Sequence, residues 1–211
     1  MEYHDRYFDQ IDKLEATIGE PVQLCIAEGD SQDGSYPDLM QRTIDRPWDK
    51  LLKVDHGGRH FGSVDHPQRW AQVAVVCNAV MDAAALDGPM IYVESDLIWE
   101  PATMIQLLED LAIVPAVAPM SMKDGRFYDT FGHRGLDGER FYSQPPYHRC
   151  LDSDRPLVAI GSAGSCIVMR EEVARVARFG ENDCVVGLGR EIRLHAEASL
   201  WLDRRVEVVH P

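Results

Sequence analysis

The stretch Ile91-Tyr92-Val93-Glu94-Ser95-Asp96-Leu97-Ile98-Trp99 decides how the rest of the chain is read. Ile91, Tyr92 and Val93 are strand formers, and a short apolar run of this kind suits the middle of a buried parallel sheet. Glu94-Ser95-Asp96 breaks the run at its C-terminal end and sets two carboxylates at i and i+2. In open α/β sheets, ligands bind beyond the carboxyl ends of the strands. Two anions held close together there are costly unless a cation or paired donors neutralise them. A hard divalent ion meets that need, and such ions commonly bridge protein carboxylates to a substrate's phosphates. The bland alternative has Glu94 capping the next helix while Asp96 meets an arginine.

The flanks of this stretch read as helices. Upstream, from Pro67, the residues Trp70, Val73, Ala74, Cys77, Val80, Met81 and Ala84 form one face of a predicted helix that packs on the sheet, which Asp87-Gly88-Pro89 ends. Downstream, Pro101 suits a first helical turn, and Met104, Leu107, Leu108 and Leu111 make a buried stripe. Residues 113–120 then read as a strand, where Pro115 and Pro119 point to an edge or an irregular ladder.

Further out, Tyr7, Phe8, Ile11, Leu14 and Ile18 predict an amphipathic helix over about 3–18, followed by a strand at 22–27. Glu28-Gly29-Asp30-Ser31-Gln32-Asp33-Gly34-Ser35 has the composition of a strand-to-helix turn that approaches a ligand, or of a polar loop that caps a helix. Toward the C-terminus, 158–169 joins two apolar stretches through the small residues Gly161-Ser162-Ala163-Gly164. Helical stretches follow Glu171-Glu172 and Glu181-Asn182-Asp183, short strands lie at 200–202 and 206–209, and His210 comes just after the last. Alternating strands and helices predict one three-layer, Rossmann-like α/β domain over 1–211, with a mostly parallel sheet flanked by helices.

Two loops draw attention. Residues 55–62 are rich in glycine and histidine, yet their spacing matches no compact zinc site; Arg59 and His60 suit contact with phosphate instead. Residues 121–157 form a long polar stretch with clustered aromatics, and long loops in compact domains are usually functional or mobile. Aromatic rings beside Asp129, His133 and Arg134 suit a sugar-like or aromatic ligand, or equally a satellite core.

The formal charge of −14 disfavours a nucleic acid or anionic membrane bound by the whole surface. An anionic ligand would therefore need positive charge supplied locally. Five scattered cysteines without C-x-x-C spacing read as reduced thiols, and the absence of a signal peptide or long apolar run leads us to expect a cytoplasmic protein with no transmembrane segment.

Four ordered features resemble GT-A fold glycosyltransferases, especially the family 2-like group, over nearly the whole chain. Glu28 to Ser35 resembles that group's first acidic, nucleotide-contacting motif, and Glu94-Ser95-Asp96 its D-x-D metal motif. Asn182-Asp183 resembles the x-E-D motif that contributes a catalytic base, and His210 falls where many members place a metal-completing histidine. The resemblance implies a nucleoside-diphosphate-sugar donor and a divalent cation, Mn²⁺ or Mg²⁺, held by Asp96 and His210, with Glu94 on the ion or the donor ribose. Glu28, Asp30, Asp33, Arg59 and Ser95 would lie on the donor side, within a nucleotide-sugar half over about 1–120. Residues of about 121–211 would form the acceptor and catalytic half, with Tyr128, Asp129, His133 and Arg134 covering the acceptor.

An inverting reaction would use Asp183 as base, with Glu181 and Glu191 competing because Asn182 stands where the motif has glutamate. The acceptor would be a hydroxyl on a saccharide, lipid, protein or modified nucleic acid. Gly29 replaces an acid often used to hold the base, so the nucleotide is not specified. The group's usual apolar first strand has no counterpart before Tyr3: the start is truncated or unusual, or another chain supplies the strand. An exposed edge there would favour association, including with a second copy. The alternatives to a transferase are a non-catalytic sugar-nucleotide-binding or assembly subunit, and a nucleotidyltransferase, although no glycine-rich loop with a basic residue stands near the N-terminus.

Overall fold

A computed structural model describes residues 2–46, 49–57, 61, 66–195 and 197–211. The chain begins with α1 (Glu2–Ile18), β1 (Cys25–Glu28), α2 (Ser35–Thr43), β2 (Lys50–Lys53), α3 (Pro67–Ala83) and β3 (Met90–Val93). It continues with α4 (Pro101–Asp110), β4 (Ala116–Lys123), β5 (Arg126–Phe127), β6 (Leu157–Ile160) and β7 (Cys166–Met169). The short α5 (Glu171–Ala174), α6 (Val185–His195) and the ten-residue β8 (Leu200–Val209) complete it.

The larger sheet has the order β3-β7-β4-β8-β6, with β5 paired to β4, while β1 and β2 form a separate parallel pair. The flanked α/β sheet is as the sequence predicts, but its ladders are mixed. Among the described strands only β1–β2 and β4–β8 run parallel, whereas β7 is antiparallel to both β3 and β4, and β6 to β8. Residues 161–165 join β6, at one edge, to β7 three places away, and the two run in the same direction, so β7 enters between β3 and β4 against both of them.

Both faces of the larger sheet are buried, which explains runs that are apolar throughout. Ala116, Ala118, Ile167, Met169, Leu200 and Leu202 pack toward α3, α5 and α6. Val117, Cys166, Val168 and Val208 pack the other way, against α1 and α4. Alternation along a strand thus sends successive apolar residues into two different cores. β4 is an interior strand despite Pro119 within it and Pro115 just before it, and its register with β8 shifts between Pro119 and Met120. Proline has no N–H for the ladder, so the irregularity falls at the residue that cannot bond.

The two strands predicted at 200–202 and 206–209 are one, bent at that shift. Its bend is held by Arg205, whose Nε and Nη2 donate to Asp203 at 2.9 Å and whose Nη2 also donates to Asp110 at 2.6 Å. Asp203 and Asp110 are buried, at 0% and 2% exposure. Burial, then the neighbouring Asp203, pushes the Asp110 carboxyl above its ordinary range. Removing the cation would leave two buried carboxylates facing each other. Arg205→Met should destabilise the fold by about 3 kcal/mol in urea unfolding; adding Asp110→Leu to it should recover part of that loss, whereas additive losses would show that the pair is not what Arg205 stabilises.

Candidate active site

The turn after β3 is bonded to two other segments. Ile98 and Val209 exchange both backbone hydrogen bonds, each 2.8 Å, and the His210 N–H donates to the Met122 carbonyl at 2.8 Å. On the opposite side Glu94 N–H donates to the Ser165 carbonyl at 2.8 Å, continuing the β3–β7 ladder past Val93 and Cys166. The ends of β3 and β8 and the start of β7 thereby meet at one point, over which the loop after β5 folds.

His210, 7% exposed, brings its Nδ1 to 3.8 Å from Asp96 Oδ2, and its Nε2 lies 3.3 Å from Ser165 Oγ. The Tyr128 ring lies against the imidazole, with centroids 4.0 Å apart. Ser165 Oγ in turn donates toward Asp129 Oδ2 at 3.5 Å. Asp129 also accepts from Gly132 N–H at 2.8 Å, and its Oδ2 lies 3.2 Å from His133 Nδ1. A side chain at Gly164 or Gly132 would run into the Asp129 carboxylate, so both positions need glycine for this close approach.

These contacts sort the carboxylates by environment. His210 is the main influence holding the Asp96 carboxyl below the usual range, against partial burial. For Asp129, burial is the largest influence and acts upward, but His133, the Gly132 N–H and His210 together outweigh it and hold the group low. Glu94 has no such donors. Burial first, then the charges of Asp129 and Asp96, push its carboxyl up to about 7.

Asp96 retains half of its side-chain exposure, at 50%, and Ser95 is exposed, so the mouth of the cluster is open to a ligand. No three His, Cys, Asp or Glu side chains among the described residues converge tightly enough to hold a metal on their own. Asp96 and His210 nevertheless offer one carboxylate and one imidazole side by side. That set suits a Mn²⁺-type ion whose remaining ligands come from phosphate oxygens and water.

Other predicted residues fall at varying distance from this cluster. Glu28 ends β1 and is buried, with Oε1 accepting from Ser31 N–H at 2.5 Å and Oε2 lacking a hydrogen bond. Asp30 accepts from His56 N–H at 2.9 Å, and the exposed Asp33 caps Ser35 locally. Arg59 lies outside the described residues. His133 is fully buried against Phe127 and Phe141, so in this conformation it holds Asp129 from behind and does not face an acceptor. Arg134 donates to the Gly138 carbonyl at 3.1 Å. Tyr128, half-exposed, sits at the mouth.

Asp183 precedes α6 and accepts from Arg190 at 2.6 Å, while Glu191 is bound by His195 at 2.9 Å and Glu181 is exposed. The Cys184 thiol, next in sequence to Asp183, is pushed up to about 12, chiefly by burial and then by the charge of Glu94. Two participants went unnoticed in the sequence. Ser165, at φ 64, links His210 to Asp129. Arg69, in the first turn of α3, offsets the charge of Glu94 and makes no hydrogen bond among the described residues. A phosphate-seeking cation just after a glycine-histidine loop is the signal that could have found it.

No family model matches the chain, and no curated protein matches it by sequence. Among solved structures, GalNAc-T7, crystallised with UDP, GalNAc and Mn²⁺, superposes with a TM-score of 0.52 at 13% identity. The match covers 89% of this chain and 36% of that one, so the chain spans about a third of its neighbour's length. The fold is GT-A-like. At this identity the likeness extends to the fold and does not single out family 2. No helix among the described residues is long and apolar enough to cross a membrane.

The raised Glu94 sets a pH dependence for the GT-A-like fold. Its folded carboxyl titrates near 7 and its unfolded one near 4.5, so the folded chain holds an extra proton between them and stability falls as pH rises through that window. In metal-free buffer, Glu94→Gln should match the parent near pH 4 and exceed it by about 1–2 kcal/mol at pH 8, water at the open mouth screening the rest. An equal difference at both pH values would show that Glu94 is not held in this state.

Proposed function

We propose that the chain is a metal-dependent, hexosyltransferase-like glycosyltransferase that moves a sugar from a nucleoside-diphosphate-sugar to an acceptor hydroxyl. The observation that carries this reading is the Asp96–His210 pair at the open mouth beyond β3, with the charge of Arg69 acting on Glu94. The GT-A-like fold supports it, as does the UDP and Mn²⁺ held by the distant neighbour.

Asp96 and His210 would hold the divalent cation, with Glu94 on it or on the donor ribose. Bound there, the ion would supply Lewis-acid stabilisation of the charge growing on the departing diphosphate. Arg69 places a second positive charge on the same side, available to phosphate oxygens. Glu28, Asp30 and Asp33 line the donor approach, and Tyr128 and Arg134 the acceptor approach. Asp129 keeps His210 oriented through Ser165.

In an inverting reaction Asp183 would take the proton of the acceptor hydroxyl as the oxygen attacks the anomeric carbon and the bond to the diphosphate breaks. Its bond to Arg190 must be given up for this step, which the arriving hydroxyl would replace. That same ion pair favours the second reading, a non-catalytic sugar-nucleotide-binding subunit in which Asp183 is structural.

The readings separate in one panel. UDP- and GDP-linked sugars near a hundred times their Kd should raise the melting temperature by roughly 5–10 °C, and Mn²⁺ should enlarge the shift. Asp96→Ala should abolish the metal-dependent part. For transfer followed by mass spectrometry, Asp183→Asn should lower turnover by at least about a hundredfold while leaving the donor shift. No shift with any donor and metal would remove the transferase reading; a shift without transfer in any acceptor screen would favour the binding subunit.

A further inference from the structure

Within the loop after β5 the chain doubles back on itself as a small hairpin. Arg134 and Arg140 face each other across it as an antiparallel bridge, and Arg134 is bridged to Ser162 as well. Residues directly opposite on such a ladder set their side chains on the same face. The guanidinium carbons of Arg140 and Arg134 accordingly lie 5.1 and 6.0 Å from the centre of the Phe131 ring. Phe131 in turn stacks on Trp70, with centroids 5.2 Å apart. A guanidinium held over an aromatic ring uses its face there and keeps its planar fork of N–H donors at the edge. Phe131 and Trp70 thus form a base on which two cations are set side by side.

The chain itself does little to satisfy Arg134. Its Nη1 donates to the Gly138 carbonyl at 3.1 Å, the buried Nε has no hydrogen bond, and no carboxylate pairs with it among the described residues. Of the two acids in the hairpin, Asp137 accepts from Arg149 Nε at 2.7 Å and lies 3.4 Å from His148 Nε2. Glu139, the other, is exposed and forms no ion pair among the described residues. Like charges directly opposite each other on a ladder are destabilising. An anion held between the two guanidinium groups offsets that cost and takes up donors that the chain leaves unused.

We propose that Arg134 and Arg140 form an anion-binding subsite, and that the acceptor hydroxyl therefore belongs to a molecule carrying a phosphate or carboxylate group. Three contacts tie the hairpin to the proposed chemistry. Phe131 precedes Gly132, whose N–H donates to Asp129 at 2.8 Å, and Trp70 follows Arg69, whose charge acts on Glu94. Ser162 Oγ donates to the Gly132 carbonyl at 2.6 Å, and Gly189 of α6 packs directly on Gly161 and Ser162. The hairpin therefore rests on the helix that Asp183 precedes, between the proposed base and the Asp129 cluster. The phosphates of a donor are served by the divalent cation and Arg69, so a further pair of cations is suited to a second anion. Arginine forks match phosphate and carboxylate alike. That the anion belongs to the acceptor rests on the transferase reading; that an anion binds between the two arginines does not.

The test uses the intact chain in chelator, without donor, and follows binding of glucose 6-phosphate, glucuronate and glucose by ligand-observed NMR. At least one acidic probe should bind about tenfold or more tightly than glucose, and whichever does names the anionic group. Arg134→Gln and Arg140→Gln should each remove most of that preference. Arg134→Lys, which keeps the charge without the fork, should recover part of it. Equal binding of acidic and neutral probes would overturn the subsite. So would a preference that survives both glutamine variants and is lost in Arg69→Gln, since the anion would then sit at the cation mouth. Should Arg134→Gln fail to fold, Arg140→Gln, at an exposed position, decides. With a nucleotide-sugar and Mn²⁺ restored, acidic acceptors should exceed neutral ones at least about tenfold in kcat/KM, and Arg134→Gln should lower that ratio while leaving the metal-dependent donor shift. Equal transfer to neutral and acidic acceptors would overturn the acceptor assignment while the transferase reading stands. Acid binding without transfer to any acceptor would overturn that assignment through the transferase reading and leave the subsite in place.

Discussion

A single antiparallel bridge, Ile98 with Val209, ties the C-terminal strand to the turn that follows β3, and the candidate site exists because of it. Seven of the ten residues of β8 pair with β4, and only at its end does it reach across to the turn. His210 is the next residue, so its backbone direction is set on one side by Val209 and on the other by the Met122 carbonyl. With both neighbours fixed, the imidazole has little choice but to lie between Asp96 and Ser165. The bend at Asp203–Arg205 contributes from a distance, since it brings the second half of β8 back into register after the shift at Pro119. Local geometry at the cluster therefore depends on a ladder that spans the whole sheet.

The electrostatics follow from that placement. Glu94, Asp96 and Asp129 lie near one another, and they are treated unequally: Asp129 receives donors from its own loop, Asp96 faces His210, and Glu94 is left with burial and repulsion. An excess of negative charge at an open mouth is poorly suited to an anionic ligand and well suited to a cation. On a chain with formal charge −14, positive charge has to be supplied at the site itself, and His210, Arg6 and Arg69 are groups that act on its carboxylates.

Much of this was legible in the sequence because it rests on short-range pattern. The run ending at Val93, the helical stripe of α4 and the amphipathic α1 follow from periodicity that burial enforces directly. Strand direction did not follow, since an apolar run buried on both faces reads the same in either direction. β4 stood out as irregular because of Pro119, but the irregularity is absorbed by a register shift inside the sheet and does not mark an edge. Of the proposed site, Asp96 and His210 are separated by more than a hundred residues and were linked only through family resemblance. Ser165 gave no signal, because a positive φ at a serine leaves no trace in composition. His133 was read by residue type, yet its ring turns inward among Phe127 and Phe141, where a side chain's chemistry says nothing about its direction. Asp183 and Arg190 pair across the start of α6 at a spacing outside the usual helical pairs.

α1 links the cavity between β1 and β3 to the turn that carries Asp96. α1 contacts the turn beyond β3 through buried polar groups: Gln10, 4% exposed, donates to the Leu97 carbonyl and accepts from Trp99 N–H, both at 3.2 Å, while Arg6 donates to the Asp96 carbonyl. These bonds hold the backbone that presents Asp96. The opposite, apolar face of α1 borders the cavity between β1 and β3, with Ile11 and Leu14 buried at 4% and 2% exposure. One helix therefore closes that cavity with its apolar side and holds the turn that presents Asp96 with its polar side.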